Sequence, residues 1–573
     1  MCGICGSVHL DGGPVDRSDV DAMLAAMHHR GPDAEGTFAE PGIVAGIRRL
    51  AVIDLEGGDQ PIANEDGSVR VVFNGEIYNF RELRRELEAK GHRFRTRSDT
   101  EVLVHGWEEY GPALLPKLNG MFAFCLYDGR THEIFLARDR FGIKPLYFRL
   151  EDGRLQFASE IGVLLKHREV PGDVDLQILI DRFCLQYVPC DATVYRSIRK
   201  LLPGQALHVR DGGAELVRWY TPPAASERDD AVDLESCAVE LRDLLKSAVR
   251  YRTIADVPLG VFLSGGLDSS AIATLLTEIA DEPVHTFSVG FDGPEAFDER
   301  EQARAVSEHL GTTHHEMVVS PVQIAEHLPA LIDHLAEPVT DPALIPTYVL
   351  SKFARERVTV ALAGEGADEL FGGYRRYRYQ QSYGWMAHVP ALGSVAKSPV
   401  GTVLPRRVRQ ALEAIDTTDP VRNHLLWSST VGFAVAEKLF HRESVQAFAQ
   451  RTAETFAPYF RSDSVDLASQ LRADQNEWLP HNLLAKVDRA SMAVSLEARV
   501  PFLDHRVVEW AAGLPDGMKI HGKQTKRVLR AAFRDLPPRV LEGPKRGFDL
   551  PLAEWIRGPL RERVTDHLSP SSL

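Results

Sequence analysis

Apolar and polar positions follow two different rhythms, and the change comes near residue 212. Before it, short apolar runs alternate with turn signals. Val71-Val72-Phe73 ends at Asn74-Gly75, a pair that favours a tight turn. From Phe80 onward, Phe80, Leu83 and Leu87 share one helical face, with Asn79 at the N-cap position and Gly91 closing the segment. Met121–Tyr127 and Glu133–Ala137 flank Asp128-Gly129 and read as a hairpin. This part predicts an α+β domain of mostly antiparallel strands.

From about 212 to 235 the chain turns to Asp-Gly-Gly, Pro-Pro, Ala-Ala-Ser and mixed charge, the composition of a linker. Beyond it, Leu241, Leu244, Leu245 and Ala248 mark a helix and Val257–Leu263 a buried strand. A helix from Ser269, a strand at Val284–Val289, a helix near Gln302–Leu310 and a strand at Val358–Leu362 follow. Such alternation predicts a parallel sheet covered on both faces. Residues 375–470 read as helical without a motif. The expected division is 1–215, a linker at 216–235, and 236–573, within the prior of about two to four domains for this length.

Charge and composition narrow the function classes. Sixty-six basic against 81 acidic residues leave a net charge of −15, which disfavours nucleic-acid binding through bulk charge. No apolar run is long enough to span a bilayer, and the N-terminus lacks the pattern of a secretory signal. Six cysteines in 573 residues do not form a disulfide framework. The cytoplasm is the expected compartment. Cys2 and Cys5 have no second cysteine pair to complete a zinc site, so Cys5 reads as a core residue of the first strand; His28-His29 and His314-His315 read as ordinary histidines.

Chemistry appears first at Cys2. Removal of Met1, favoured by a small following side chain, would leave a thiol and a free α-amine on one residue. That amine titrates near pH 7.7–8.0 (approximately), so the nucleophile carries its own general base. In the second half, Ser264-Gly265-Gly266-Leu267-Asp268-Ser269-Ser270 lies between a strand and a helix. Its glycines let backbone N–H groups and the helix N-terminus face an anion, Ser264, Ser269 and Ser270 add hydroxyls, and Asp268 is a magnesium ligand candidate. No Gly-Lys-Ser/Thr ends the loop, so it is not a Walker A motif. A second loop, Ala363-Gly364-Glu365-Gly366-Ala367-Asp368-Glu369, follows Val358–Leu362 at the same end of the expected sheet. That common end would let Asp268 and Asp368 share a metal, with Glu365 a candidate proton acceptor beside it. Lys526 sits on what reads as a basic helical face, and Lys545 in what reads as an exposed loop.

The heptapeptide 264–270 resembles the pyrophosphate loop of ATP pyrophosphatases, which implies cleavage of ATP between its α and β phosphates. With both halves in view, the chain resembles the glutamine-hydrolysing asparagine synthetase family over nearly its full length. The amino half carries Cys2-Gly3-Ile4, Arg30-Gly31-Pro32-Asp33, Arg49-Leu50-Ala51-Val52, Asn74-Gly75-Glu76-Ile77-Tyr78-Asn79 and Ser98-Asp99. The carboxyl half adds the two loops, Leu479-Pro480-His481-Asn482, Asp488-Arg489-Ala490-Ser491-Met492 and Leu496–Asp504. The resemblance implies an Ntn-type four-layer αββα class II glutaminase domain and a parallel-sheet α/β ATP-pyrophosphatase domain with added helices.

It also implies roles. Cys2 attacks the glutamine amide, and Asn74 and the Gly75 N–H hold the oxyanion. Arg49 binds the glutamine α-carboxylate, while Glu76 and Asp99 bind its α-ammonium. Leu263, Ser264, Gly265, Gly266, Asp268, Ser269, Val289, Ala363, Gly364 and Lys526 contact ATP, Asp268 and Asp368 hold Mg²⁺, and Glu365 and Lys545 act in the chemistry. Ammonia is channelled internally to an acyl-adenylate. The partners implied are small molecules (glutamine, ATP, and aspartate or another carboxylate), with no nucleic acid, no membrane and a homodimer as the family's habit. Ala363 and Ala367 stand where many members carry serine, and Asp333–Leu344 is expected near the acceptor. Aspartate and another carboxylate of secondary metabolism, amidated or cyclised, both remain open as the acceptor.

Overall fold

Residues 2–223, 233–292, 298–338, 340–383, 412, 417, 419–460, 466–543 and 550–569 are described by the computed structural model. In the first half, period-two alternation builds two stacked antiparallel sheets. One runs edge to edge as Arg199–Lys200, Tyr147–Glu151, Arg154–Ala158, Gly3–His9, Ile43–Arg49 and Ala34–Glu40. The other runs as Gly213–Arg218, Gln205–Arg210, Glu133–Arg138, Gly120–Asp128, Val69–Ile77 and Ile62–Ala63. Val72, Ala123, Cys125 and Leu136 join Ile4, Val8 and Ile47 in the layer between the sheets. Phe73, Phe122 and Phe124 point the other way, onto the helices Phe80–Ala89 and Glu101–Tyr110. Helix Arg17–Ala26 packs on the outer face of the first sheet. The result is four αββα layers.

The second half holds a five-stranded parallel sheet ordered Thr313–Val319, His285–Phe291, Leu259–Phe262, Val360–Leu362 and Glu497–Arg499. The chain winds outward from Leu259–Phe262 in one direction, then returns to add strands on its other side. The reversal between Leu259–Phe262 and Val360–Leu362 is the topological switch point at which such sheets bind ligands. Apolar side chains cover both faces, with Leu241, Ala271 and Ile272 in one core and Leu344, Tyr348 and Leu350 in the other.

The halves share a continuous interior. Tyr78, Met121, Phe141 and Ile143 of the first domain lie in the same core as Leu263, Leu484 and Phe502 of the second. Buried ions stitch the seam: Arg30 donates to Asp488 (2.8 Å) and to Glu160 (2.7 Å). Removing one partner of such a pair leaves an uncompensated buried charge, a cost of about 3–5 kcal/mol.

Several local expectations change. Asn74-Gly75 makes no turn: strand Val69–Ile77 runs straight through it, paired along its length with Gly120–Asp128. The glycine serves strand approach instead, since a Cβ at Gly75 would lie 2.1 Å from the Met121 carbonyl oxygen. Asn79 precedes helix Phe80–Ala89 but makes no side-chain cap; it donates to the Lys117 carbonyl (2.9 Å) and accepts from the Asn119 N–H (2.8 Å), fixing the entry to Gly120–Asp128. Strand Gly213–Arg218 crosses the boundary expected at 215, and helix Leu234–Tyr251 begins inside the expected linker. Lys526 lies on no basic helical face. It follows the short hairpin Ile520–His521/Gln524–Thr525 in a left-handed conformation (φ +53°), just before helix Arg527–Ala532.

Candidate active sites

Cys2 sits at the head of strand Gly3–His9, in the layer between the two antiparallel sheets, and is buried. Its N–H donates to Asn74 Oδ1 (3.0 Å), and its carbonyl accepts from Arg30 Nε (3.1 Å). The other end of the same amide, Asn74 Nδ2, has no hydrogen-bond partner in a fully buried position. An orphan donor costs about 1–3 kcal/mol unless something fills it. Here it stands beside a nucleophile, where a developing oxyanion would need it. Burial pushes the Cys2 thiol up, with nearby Arg49 opposing and Glu76 adding to the shift. The thiol therefore needs a base beside it to react.

Arg49, Glu76 and Asp99 gather around this centre. The Arg49 guanidinium donates to Asp59 Oδ1 (2.8 Å) and to the carbonyls of Ile53 (3.1 Å) and Asp54 (2.7 Å), holding the 53–59 loop over the site. It already binds a carboxylate. Glu76 lies two residues along the strand from Asn74, on the same face; burial and the charges of Glu497 and Asp99 push its carboxyl well up. Asp99 accepts from the Ile77 N–H (2.7 Å), and burial raises its carboxyl to about 6. Glu76, Asp99 and Glu497 crowd around Arg499, which donates to Glu497 (2.5 Å) and whose NH2 lies 3.5 Å from Glu76. The surplus negative charge suits an ammonium group.

The second centre lies at the switch point of the parallel sheet. Gly265 takes φ +72°, and a Cβ there would meet the Ala303 nitrogen at 2.6 Å. The turn feeds helix Leu267–Thr277, whose N-cap Gly266 offers no side-chain cap, so its first N–H groups face the loop's concavity. Ser264 and Ser269 hydroxyls lie 3.1 Å apart across it. Two clefts open on this loop. The larger, about 230 Å³, is lined by Leu263, Val289, Ala363, Gly364, Glu365 and Asp368 among others. The second, about 70 Å³, is lined by Gly265, Gly266, Lys526, Arg530 and Arg539. Ser264, Asp268, Ser269 and Glu299 border both.

Lys526 Nζ lies 2.6 and 2.7 Å from the two oxygens of Asp268 and 2.5 Å from Asp368. Gly373 makes this possible: a Cβ there would fall 1.8 Å from Asp368 Oδ1 and 2.1 Å from Lys526 Cε. Two carboxylates converging on one point over one ammonium leave net negative charge, a donor set that fits a hard divalent cation. The neighbouring Glu369 accepts from Tyr374 Oη (2.5 Å); burial and Asp368 push it up to about 7.

Every expected site residue except Lys545, which lies outside the described residues, falls in one of these two groups. Sequence reasoning assigned no role to Glu369 within the second glycine loop, and missed Arg530, Arg539, Glu299 and Lys486, which border the clefts from elements carrying no glycine signature. Glu337, expected near the acceptor, turns into the domain seam, 3.1 Å from Arg489 and accepting from the Val194 N–H (3.2 Å). Asp341 of that segment approaches the cleft, 3.3 Å from the lining residue Lys486.

The sequence matches the glutamine amidotransferase domain family over residues 1–220 and the asparagine synthase family over residues 240–573. The chain belongs to the asparagine synthetase family. Among family members, asparagine synthetase [glutamine-hydrolyzing] 1 of Bacillus subtilis is 35% identical over 581 residues, covering 100% of this chain and 90% of that protein. A putative asparagine synthetase [glutamine-hydrolyzing] of Mycobacterium tuberculosis is 37% identical over 97% of this chain and 88% of its own length. Asparagine synthetase [glutamine-hydrolyzing] 2 of Oryza sativa is 30% identical over the whole chain and 81% of its own length. The family's two-part organisation matches the two centres found here, and one residue of this chain touches both. The Arg499 carbonyl accepts from the Ala363 N–H at the synthetase cleft (2.9 Å), while its guanidinium reaches Glu76. Among the described residues no helix is long and apolar enough to cross a membrane.

Proposed function

We propose that this chain makes asparagine from aspartate, taking nitrogen from glutamine and energy from ATP. After removal of Met1, the Cys2 nitrogen would be an α-amine already oriented by Asn74 Oδ1. It takes the thiol proton as sulfur attacks the glutamine side-chain carbonyl. Asn74 Nδ2 and the Gly75 N–H receive the oxyanion, a stabilisation of about 3–4 kcal/mol for a donor so placed. The amine returns the proton to the leaving ammonia, and water then cleaves the glutamyl thioester. Arg49 holds the glutamine α-carboxylate and Asp99 with Glu76 its α-ammonium.

In the second site ATP lies across the loop 264–269, with its adenosine toward Leu263, Val289 and Gly364 in the large cleft and its β and γ phosphates toward Lys526 and Arg530 in the small one. The scissile bond then falls above Asp268, between the clefts. Asp268 and Asp368 would hold a magnesium ion, which supplies charge neutralisation at the phosphates when bound. The aspartate β-carboxylate attacks the α-phosphorus and pyrophosphate leaves toward Lys526. Ammonia displaces AMP from the acyl carbon and gives its proton to Glu365. Ala363 acts through its backbone, so the absent serine hydroxyl is no obstacle to ATP use.

The observation that carries this reading is the pair of clefts sharing one loop, the larger lined by apolar and acidic residues and the smaller by Lys526, Arg530 and Arg539, joined through Arg499 to a buried cysteine with a waiting donor. The test is pyrophosphate release with ATP, magnesium and glutamine, with and without L-aspartate, and with asparagine assayed alongside. Aspartate-dependent release with equal asparagine is expected. Release indifferent to aspartate, in a preparation that still hydrolyses glutamine, would assign the machine to another carboxylate.

A further inference from the structure

A cluster unrelated to either centre lies in the outer helical layer of the first domain, across the sheet from Cys2. Glu65 follows strand Ile62–Ala63, His92 follows helix Phe80–Ala89, and His105 and Glu108 lie one turn apart on helix Glu101–Tyr110. Each offers one ligand atom, and these four atoms all lie within 4.8 Å of one another. His105 Nδ1 is 3.4 Å from Glu65 Oε2 and 3.5 Å from Glu108 Oε2; His92 Nδ1 is 3.7 Å from Glu65 Oε1 and from Glu108 Oε2. These separations are too long for good hydrogen bonds. They approach the edge of a zinc tetrahedron, where bonds of about 2.0–2.1 Å set neighbouring ligand atoms about 3.3–3.4 Å apart.

The outer atoms of the same side chains are already engaged. His92 Nε2 meets Glu109 (3.1 Å) and His105 Nε2 faces Glu101 (3.5 Å). With His92 Nε2 turned to Glu109 as donor, its δ nitrogen is left as an acceptor aimed inward, the arrangement by which carboxylates orient metal-binding imidazoles, and Glu101 stands where it would set the same tautomer at His105 once a metal takes Nδ1. Glu108 Oε1 accepts from Asn64 (2.8 Å) and Arg130 (3.2 Å), which leaves Oε2 for the interior; Glu65 Oε1 accepts from the Arg93 N–H (2.8 Å). His105 Nδ1 and Glu108 Oε2 are buried with no hydrogen-bond partner, and the His105 side chain is 0% exposed. Two acceptors turned toward each other at a buried imidazole repel unless a proton or a metal cation sits between them.

We propose that Glu65, His92, His105 and Glu108 form a tetrahedral structural site for a divalent transition ion of the zinc class. Two neutral imidazoles and two carboxylates match its charge and its preference for nitrogen and oxygen donors. The ion would tie the 91–100 segment, which delivers Asp99 to the glutamine site, to the turn at Glu65.

The test uses the full-length protein, stripped with a chelator and titrated with zinc against a chromophoric competitor. One equivalent is expected to bind more tightly than about 1 μM. Cobalt(II) in its place should give the strong visible bands of a tetrahedral ion without a thiolate charge-transfer band in the near ultraviolet. His92→Ala, at the rim of the cluster, and Glu108→Gln should each weaken binding by at least about 100-fold, beyond the 10–100-fold typical of outer-shell partners. No equivalent bound by the unmodified protein overturns the proposal without reference to any variant. So does zinc binding unchanged in His92→Ala, or a thiolate band, which would move the metal to a cysteine.

Discussion

The two active centres are built on opposite plans. The glutaminase site is walled by two stacked antiparallel sheets, with Cys2 at the head of strand Gly3–His9 of one sheet and Asn74 held by ladder pairing in strand Val69–Ile77 of the other, 3.0 Å apart through a hydrogen bond. Its polar atoms are set before any ligand arrives, down to the unpartnered Asn74 Nδ2. The synthetase site is assembled from loops at the ends of parallel strands, and its carboxylates Asp268 and Asp368 share one ammonium, Lys526. A reaction through a transient oxyanion gains from donors that need no reorganisation. A site that must accept a highly charged phosphate chain, release pyrophosphate and then admit ammonia gains instead from charges that change partners. Rigidity and exchange are thus divided between sheet interior and sheet edge.

If the division is real, each centre fails alone. Cys2→Ala should remove glutamine-dependent synthesis by at least about 10⁴-fold, the scale of losing a nucleophile. Ammonia-dependent synthesis should persist at its normal rate, measured as asparagine formed from ammonium, ATP and aspartate. Loss of both activities would mean that the two centres are one cooperative unit.

The converse substitution is Asp268→Asn. It removes one of the two carboxylates that fit the metal and unbalances Lys526, so pyrophosphate release should fall by roughly 10²–10³-fold, as for other transition-state charge contacts. Glutaminase turnover should not change, because among the described residues the backbone hydrogen bonds of Cys2 go to Asn74 and Arg30 and not to this loop. An intact ATP half-reaction would refute the metal assignment.

Sequence and structure agree best where one residue type is demanded by local geometry. Gly265 needs a left-handed backbone and a close approach to Ala303, so the phosphate loop is legible from its letters. The same logic misleads at Asn74-Gly75, where the preference for a turn loses to nine residues of strand pairing. Relations between distant residues were not legible. Nothing local says that Lys526 reaches back 258 positions to Asp268, or that Gly373 is small to make room for that contact. Arg530 and Arg539 look like ordinary surface cations until the fold sets them around the small cleft. Glu65, His92 and His105 are spread over some forty residues at no recognisable spacing, and only the packing of two helices against one turn brings them together.

The smallest expected effect tests the preset character of the glutaminase site most closely. Burial raises the Asp99 carboxyl to about 6, with Glu497 adding to the rise and Arg499 opposing it. A glutamine ammonium binds the ionised carboxylate, so affinity should be full above pH 7 and decline as pH falls through 6. With that midpoint about one-tenth of Asp99 is ionised at pH 5, which corresponds to roughly tenfold weaker binding, or about 1.4 kcal/mol. Calorimetric titration of glutamine into Cys2→Ala isolates this step from the chemistry of the thiol. Asp99→Asn should bind weakly at every pH and flatten the profile above pH 5. A profile unchanged by that substitution would transfer the ammonium contact to Glu76, whose carboxyl is also held above its ordinary value. A profile flat in both proteins would mean that the glutamine ammonium meets neither carboxylate, and that their surplus charge serves Arg499 and the domain seam instead.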